Sequence, residues 1–148
     1  MTVRTLLASA ALASVACADQ GPASGDVSID IQQSLTSQVT SAGTFTMTGF
    51  VVDDGATTEE LTFGGPLTQS PVPVTFRRTL SGKQGTMVLR GSASLAFTSP
   101  ATATLTGTWE VESATGAYAG GKGTLTGSAD FAATPPRATL RYSGVLSK

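Results

Sequence analysis

The sequence predicts an all-β protein whose strands close into an eight-stranded antiparallel β-barrel. Apolar and polar residues alternate with a period of two, and clusters of turn-forming residues interrupt this alternation at short intervals. No helical periodicity appears after residue 26. The eight alternating runs are Val27–Ser34, Thr44–Val52, Thr57–Phe63, Val72–Leu80, Thr86–Thr98, Thr102–Glu112, Gly123–Phe131 and Arg137–Leu146. We therefore expect a barrel domain over residues 27–148.

Recurrent glycines favour a closed barrel over an open sheet. In five segments a glycine follows a large apolar residue and a polar residue, and so shares the phase of the apolar side chains; these are Gly49, Gly91, Gly107, Gly127 and Gly144. Glycine weakens a strand, but it permits the bends and close approaches that a tightly curled sheet requires. A β-sandwich is the alternative, although the chain lacks the cysteine pair that immunoglobulin-like sandwiches usually have.

The residues before the first strand resemble an export signal. Residues 1–16 have a positive charge at Arg4 and then a short apolar stretch, which is typical of a signal peptide. Ala13-Ser14-Val15-Ala16-Cys17 resembles a bacterial lipobox, although Ser14 stands where an aliphatic residue is usual. We expect Cys17 to carry a lipid, and residues 17–26 to be a flexible tether. The alternative is ordinary signal-peptidase cleavage after Ala18, which would release the protein.

Composition excludes several kinds of chemistry. The chain has no histidine, which removes the Ser-His-Asp triad and the commonest zinc ligand. A single cysteine excludes an internal disulfide framework, and a formal net charge of −1 does not suit a nucleic-acid-binding protein. No cofactor motif or metal-ligand spacing is present. We expect no catalytic residue, cofactor, metal or nucleic-acid partner.

Two charged residues fall in the inward phase of neighbouring segments. If the third and fourth runs form a hairpin with Phe63 opposite Val74, then Glu59 lies opposite Arg78. The pair would meet near one barrel mouth and could orient the polar head of a ligand. The plainer interpretation is a salt bridge at the rim that contributes little.

Inward aromatic residues complete the candidate site. The loop around Tyr118 is flanked by Gly116 and Gly120, so its ring could cap one barrel end while the hydroxyl stays in water. This cap would be a structural plug or, alternatively, a ligand gate. The candidate ligand-binding residues are Glu59, Phe63, Phe76, Arg78, Trp109, Tyr118 and Tyr142.

The outward phase predicts a solvated polar surface. Glu110 and Asp130 should be solvated, as should the adjacent acids Asp53 and Asp54 in a predicted turn. Threonines dominate the outward face of the sixth and seventh runs. An ice-binding or glycan-binding surface is conceivable there, but threonine is also simply favoured on a wet strand face.

One stretch resembles the allene oxide cyclase-like and dirigent-type barrels. Residues 107–127 contain Gly-x-Trp, then Thr-Gly-x-Tyr-x-Gly and a glycine-led strand, and the resemblance extends over most of residues 43–146. It implies an eight-stranded barrel around an apolar cavity, often in dimers or trimers. Members include a cyclase of a fatty-acid epoxide, proteins that direct phenolic radical coupling, and relatives that fold polyketides. No catalytic residue of those enzymes matches here.

These observations predict an exported, lipid-anchored barrel that binds a small apolar or amphipathic ligand, or serves as a structural or interaction module. It would lie on the cell envelope, on the outer membrane where the host has one. Without the lipid it would be periplasmic or extracellular. The alternative is a cyclase or isomerase that acts by confining its substrate. A cavity of some hundreds of Å³ open at one end would allow both ligand binding and catalysis, whereas a solidly packed interior would exclude both.

Overall fold

The computed structural model describes residues 23–148, which form a closed barrel of eight antiparallel strands joined in sequence order. The strands are β1 (Ser24–Leu35), β2 (Thr40–Gly49), β3 (Asp53–Phe63), β4 (Val72–Gly82), β5 (Thr86–Phe97), β6 (Thr102–Ala114), β7 (Gly120–Asp130) and β8 (Arg137–Ser147). Strand β8 pairs with β1 and closes the sheet. The prediction of an all-β closed barrel is confirmed, and the sandwich alternative is wrong. No helix among the described residues has the length and apolar character needed to cross a membrane.

The observed strands overlap all eight predicted runs but differ from them at several ends, and β2 begins at Thr40 and β3 at Asp53, each four residues before the predicted run. Strand β1 begins at Ser24, so the last three residues of the predicted tether are paired with β8. Strand β2 ends at Gly49, whose φ of 106° turns the chain, and Phe50–Val52 form the connection to β3. The apolar alternation continues into this turn and hides its position. The predicted signal peptide and Cys17 lie outside the described residues.

Four of the five glycines singled out in the sequence lie on the inner side of the wall, and Gly49 is exposed at a strand end. At Gly91 a Cβ atom would overlap the carbonyl oxygen of Thr108 and would lie 2.5 Å from the ring of Phe76. The neighbouring strand and the facing ring therefore occupy the space that a side chain would need. This close approach is what a sheet curled into a small barrel requires.

The two ends of the barrel differ. We call the end formed by residues 36–39, 64–71, 98–101 and 131–136 the mouth end, and the end formed by residues 50–52, 83–85, 115–119 and the C-terminus the closed end. The closed end is filled by buried apolar and aromatic side chains, namely Val51, Leu80, Met87, Tyr118 and Leu146. The mouth end is less completely filled, and this asymmetry places the candidate site.

Candidate functional site

An apolar cavity of about 70 Å³ occupies the mouth half of the barrel. Its wall includes inward side chains of seven strands, all except β2, among them Leu61, Phe76, Leu95, Leu105 and Leu140. The volume corresponds to about five water molecules, and it is smaller than the roughly 300 Å³ at which pockets for drug-sized ligands begin. The cavity therefore suits a short aliphatic segment, and the interior is neither solidly packed nor as open as the sequence analysis considered.

Small side chains keep the mouth open. Ala129 of β7 and Ala138 of β8 lie opposite each other, and both line the cavity close to the ends of their strands. Around them the side chains of Leu35, Phe63 and Phe131 are only half-buried. The cavity thus reaches solvent at the mouth end through a rim of apolar side chains.

The cavity rests on a buried ion pair. Nη2 of Arg78 lies 2.5 Å from Oε1 of Glu59, and both side chains are buried. Arg78 also donates from Nη1 to the hydroxyl of Thr57 at 2.9 Å and from Nε to the hydroxyl of Tyr142 at 3.1 Å. The guanidinium of this β4 residue is thereby bound to side chains of β3 and β8, which fixes its position in the barrel interior.

The second carboxylate oxygen of Glu59 is also occupied. Oε2 accepts hydrogen bonds from the side-chain amide of Gln33 at 2.8 Å and from the hydroxyl of Ser41 at 3.0 Å. The amide oxygen of Gln33 in turn accepts from Nη2 of Arg78 at 2.7 Å. Within residues 23–148 no buried side-chain nitrogen or oxygen lacks a partner. The floor of the cavity is therefore a polar layer in which each buried side-chain nitrogen and oxygen has a hydrogen-bond partner, and these bonds stabilise it.

Burial and charge shift the pKa values of this layer. Burial alone would lower the pKa of the Arg78 guanidinium, but its interactions with Tyr142 and Glu59 outweigh burial and raise that pKa above its ordinary value. Burial raises the pKa of Tyr142 to about 12, and Glu59 adds to this rise while Arg78 opposes it. Arg78 stays cationic and Tyr142 stays neutral under ordinary conditions.

The register of β3 and β4 matches the predicted hairpin, with Phe63 opposite Val74 and Glu59 opposite Arg78. The expected position at the rim is wrong, since both charged side chains are buried. Glu59 lies four residues inside the end of β3, and side chains from β1 and β8 cover the pair. The burial of the pair by side chains of β1 and β8 depends on closure of the barrel, so it could not be predicted from the β3–β4 hairpin alone.

Tyr118 lies at the closed end and takes no part in the cavity. Its hydroxyl donates to Oδ2 of Asp53, so the expectation that the hydroxyl stays in water is wrong. Asp53 is buried, which also contradicts its predicted solvent exposure, whereas Asp54 is exposed and paired with Lys83. Tyr118 therefore acts as a structural plug that is fastened to the start of β3.

The Asp53 carboxylate holds the closed end together. Besides Tyr118, it accepts hydrogen bonds from the backbone N–H groups of Asp54, Lys83 and Gln84 at 2.8, 2.9 and 3.1 Å. Burial alone would raise the pKa of Asp53, but these hydrogen bonds outweigh it and lower that pKa below its ordinary value. Burial and the bond to Asp53 together raise the pKa of Tyr118. One carboxylate thus links the β2–β3, β4–β5 and β6–β7 connections.

The predicted site residues separate into three groups. Glu59, Phe63, Phe76 and Tyr142 line the cavity, and Arg78 lies in the layer beneath it. Trp109 is buried against Tyr142, with 6.1 Å between ring centroids, and donates to the carbonyl of Thr124 at 3.0 Å. Trp109 and Tyr118 therefore support the barrel without lining the cavity.

Gln33 in the floor and Arg137 at the mouth were not predicted from the sequence. Gln33 follows Ile29 and Ile31 in the inward phase of β1, and a polar residue at the end of such a series was a usable signal. Arg137 begins β8 and lines the cavity while exposed to solvent. It forms no ion pair with any residue that the structure describes.

The outer surface is polar. Glu110 and Asp130 are exposed as predicted, and Glu110 pairs with Arg90 at 2.8 Å. Over residues 23–148 no three of the aspartate, glutamate, cysteine and histidine side chains are grouped closely enough to hold a metal ion. The apolar cavity of the barrel lies at the mouth end, inside this polar surface.

Comparison of the chain with protein-family models, curated proteins and solved structures finds no match. The resemblance to the allene oxide cyclase-like and dirigent-type barrels therefore stays a prediction, and the case for function depends on the site itself.

Proposed function

We propose that this protein is an exported, lipid-anchored barrel that binds the apolar part of a small amphipathic ligand in the mouth-end cavity. The observation that carries the proposal is the apolar cavity itself, which is open at one end and has a hydrogen-bonded polar floor. Apolar surface that leaves water on entering such a cavity contributes about 25 cal/mol per Å².

The polarity of the cavity favours entry of the ligand by its apolar end. The floor groups are already hydrogen-bonded to one another, so a polar head placed there would lose its contacts with water and would have to compete with these bonds. At the mouth, Arg137 is an exposed lining residue that lies opposite Asp130 in the β7–β8 register and forms no ion pair among the described residues. An anionic head would remain there, close to solvent and to this cation.

A cyclase or isomerase that acts by confinement is less well supported. Both carboxylate oxygens of Glu59 are engaged by Arg78, Gln33 and Ser41, so Glu59 is held in place as a structural anion. The cavity would also admit only a short segment of a polyketide or a fatty-acid epoxide. A purely structural or interaction module would leave the cavity unexplained.

Calorimetric titration with octanoate and with 1-octanol tests the proposal. The wild-type protein should bind both, and Ala129→Leu should weaken both because the larger side chain fills the cavity. Ser128→Leu is the matched control, since Ser128 is the outward neighbour on the same strand and should leave binding unchanged. Equal binding by the wild type and Ala129→Leu would overturn the proposal.

A further inference from the structure

We infer that the closed end of the barrel faces the membrane, with the Phe50–Val52 turn in contact with the lipid surface and the cavity mouth directed away from it. This inference rests on the proposed lipid anchor at Cys17. The position of the chain ends, the exposure of the turn and the reach of the intervening residues support it.

Both ends of the barrel domain meet at the closed end. The backbone N–H of Lys148 donates to the carbonyl of Ala23 at 2.9 Å, and Ser24 begins β1 beside Ser147 of β8. Any chain that precedes Ala23 therefore joins the barrel at this end. The mouth lies at the opposite end, because β1 runs from Ser24 at the closed end to Leu35 at the mouth.

The distance that the intervening chain can cover is short. Six residues after Cys17 the chain reaches Ala23, and six residues span at most about 22 Å when fully extended. A strand of 11 residues tilted by about 40° extends roughly 28 Å along the barrel axis. A lipid on Cys17 would therefore hold the closed end near the bilayer and leave the mouth too distant to rest on it.

One large apolar side chain is exposed next to the chain entry. Val52 is 69% exposed, the highest value among the large apolar side chains of the described residues. The turn that carries it is attached to β1, because the N–H of Phe50 donates to the carbonyl of Asp26 at 2.8 Å. Nζ of Lys148 lies 4.8 Å above the ring of Phe50. An aliphatic tip with a neighbouring cation suits the boundary between anionic headgroups and acyl chains.

The charges around the turn are compatible with this contact. Asp54 is exposed but already paired with Lys83, whose Nζ lies 2.7 Å from Oδ1. Asp26 is exposed on β1 and would oppose anionic lipids, so Val52 and Lys148 must outweigh it. The contact need not supply affinity, since the lipid anchor does so. It needs only to favour one orientation of a barrel that is already held at the surface.

Fluorophore depth measurements test the orientation. The lipidated protein is placed in vesicles of phosphatidylethanolamine and phosphatidylglycerol, with a nitrobenzoxadiazole label on Val52→Cys or, as the matched control, on Leu67→Cys. Leu67 is also an exposed aliphatic residue, but it lies in a mouth-end loop. The label at position 52 should shift to shorter wavelength and be quenched by spin-labelled lipids, whereas the label at position 67 should behave as it does in water.

Two results would overturn the inference, and they are distinguishable. If the mass of the N-terminal peptide shows a lipid on Cys17, but both labels stay in water or only position 67 is quenched, the anchor stands and the orientation is wrong. If Cys17 carries no lipid, the proposed anchor fails and the orientation fails with it.

Discussion

Nη2 of Arg78 lies 2.5 Å from Oε1 of Glu59 inside the barrel, and this buried pair lies between the filled closed end and the apolar cavity. On one side the barrel is filled by apolar side chains and fastened by Asp53 and Tyr118. On the other side the apolar cavity opens at the mouth end. The pair thus lies beneath the cavity on one part of the barrel wall, and the apolar core continues past it from the closed end to the cavity wall.

Loss of Arg78 should destabilise the barrel strongly. Arg78→Met leaves the Glu59 carboxylate buried without a counter-charge, which should cost about 3–5 kcal/mol of the free energy of unfolding. The measurement is urea denaturation followed by circular dichroism. The double variant Arg78→Met/Glu59→Gln should recover part of this loss, since no buried charge remains.

The neighbouring Arg77 provides the control for that measurement. Arg77 pairs with Glu112 at 2.7 Å on the outer surface, where both side chains are substantially exposed. Arg77→Met should change the free energy of unfolding by less than about 1 kcal/mol. Equal losses for Arg77→Met and Arg78→Met would show that the interior pair has no special role.

The free energy of unfolding should fall at acidic pH because Asp53 at the closed end becomes protonated. Because its hydrogen bonds lower the pKa of Asp53 in the folded state, Asp53 contributes stability that is present above its ordinary pKa and is lost as the pH falls through the lowered value. Asp53→Asn should reduce the dependence of unfolding free energy on pH in this acid range. Asp54→Asn is the comparison, since Asp54 is exposed, and an identical effect of both substitutions would contradict the assignment.

Both tyrosines should lose their phenolic protons only at a pH above the ordinary range for tyrosine. Burial raises the pKa of Tyr142 to about 12 and also raises that of Tyr118, and these are the two tyrosines of the chain. Because the pKa values are higher in the folded than in the unfolded state, the neutral phenols add to the free energy of unfolding. This contribution is fully present below the ordinary pKa of about 10 and is lost as the pH rises through the raised values. Absorbance at the phenolate band should remain low in the folded protein near pH 10 and rise there in urea. Phenolate formation in the folded protein near pH 10 would contradict the described burial.

The curl of the sheet should depend on Gly91. A methyl group there would collide with the ring of Phe76 and the backbone of β6, so Gly91→Ala should cost about 1–3 kcal/mol. At Gly120 the nearest atom to a Cβ is the hydroxyl oxygen of Ser147 at 3.3 Å, which can move aside. Gly120→Ala should therefore cost clearly less in the same thermal or urea unfolding experiment. A tolerated Gly91→Ala would mean that the wall is less tightly curled than described.

Arg137 should distinguish an anionic ligand from a neutral one. Arg137→Gln should weaken octanoate binding by up to about fivefold, because one exposed charge contact is lost, and should leave 1-octanol binding unchanged. Arg141→Gln removes the same charge from the same strand, but Arg141 is paired with Asp30 and does not line the cavity. Equal weakening of octanoate by both substitutions would show that only net charge matters.

The alternation of residues was sufficient to predict the strands, because burial of one face imposes a period of two on every strand. The recurrent glycines in the inward phase then favoured closure into a barrel. The alternation also placed Glu59 opposite Arg78, since the apolar pair Phe63–Val74 fixes the hairpin register. It could not predict that Gln33 and Tyr142 would cover the pair. That contact joins strands distant in sequence and exists only after β8 meets β1.

The prediction that Asp53 is exposed was wrong because it relied only on the polarity of the neighbouring residues. Two adjacent acids followed by glycine are typical of an exposed turn, but Gly49 turns the chain earlier and places Asp53 in β3. Its burial follows from partners in two other connections, at Lys83–Gln84 and at Tyr118. Similarly, the size of the cavity depends on which small residues meet at the mouth, and alternation does not specify this.

Native mass spectrometry of the protein purified from its host tests the central claim most directly. We predict that a fraction of the wild-type protein carries one small amphipathic molecule, that this added mass is absent from Ala129→Leu, and that Ser128→Leu retains it. A wild-type protein found only in its unliganded mass, with octanoate unable to add to it, would contradict a ligand-binding role for the mouth-end cavity.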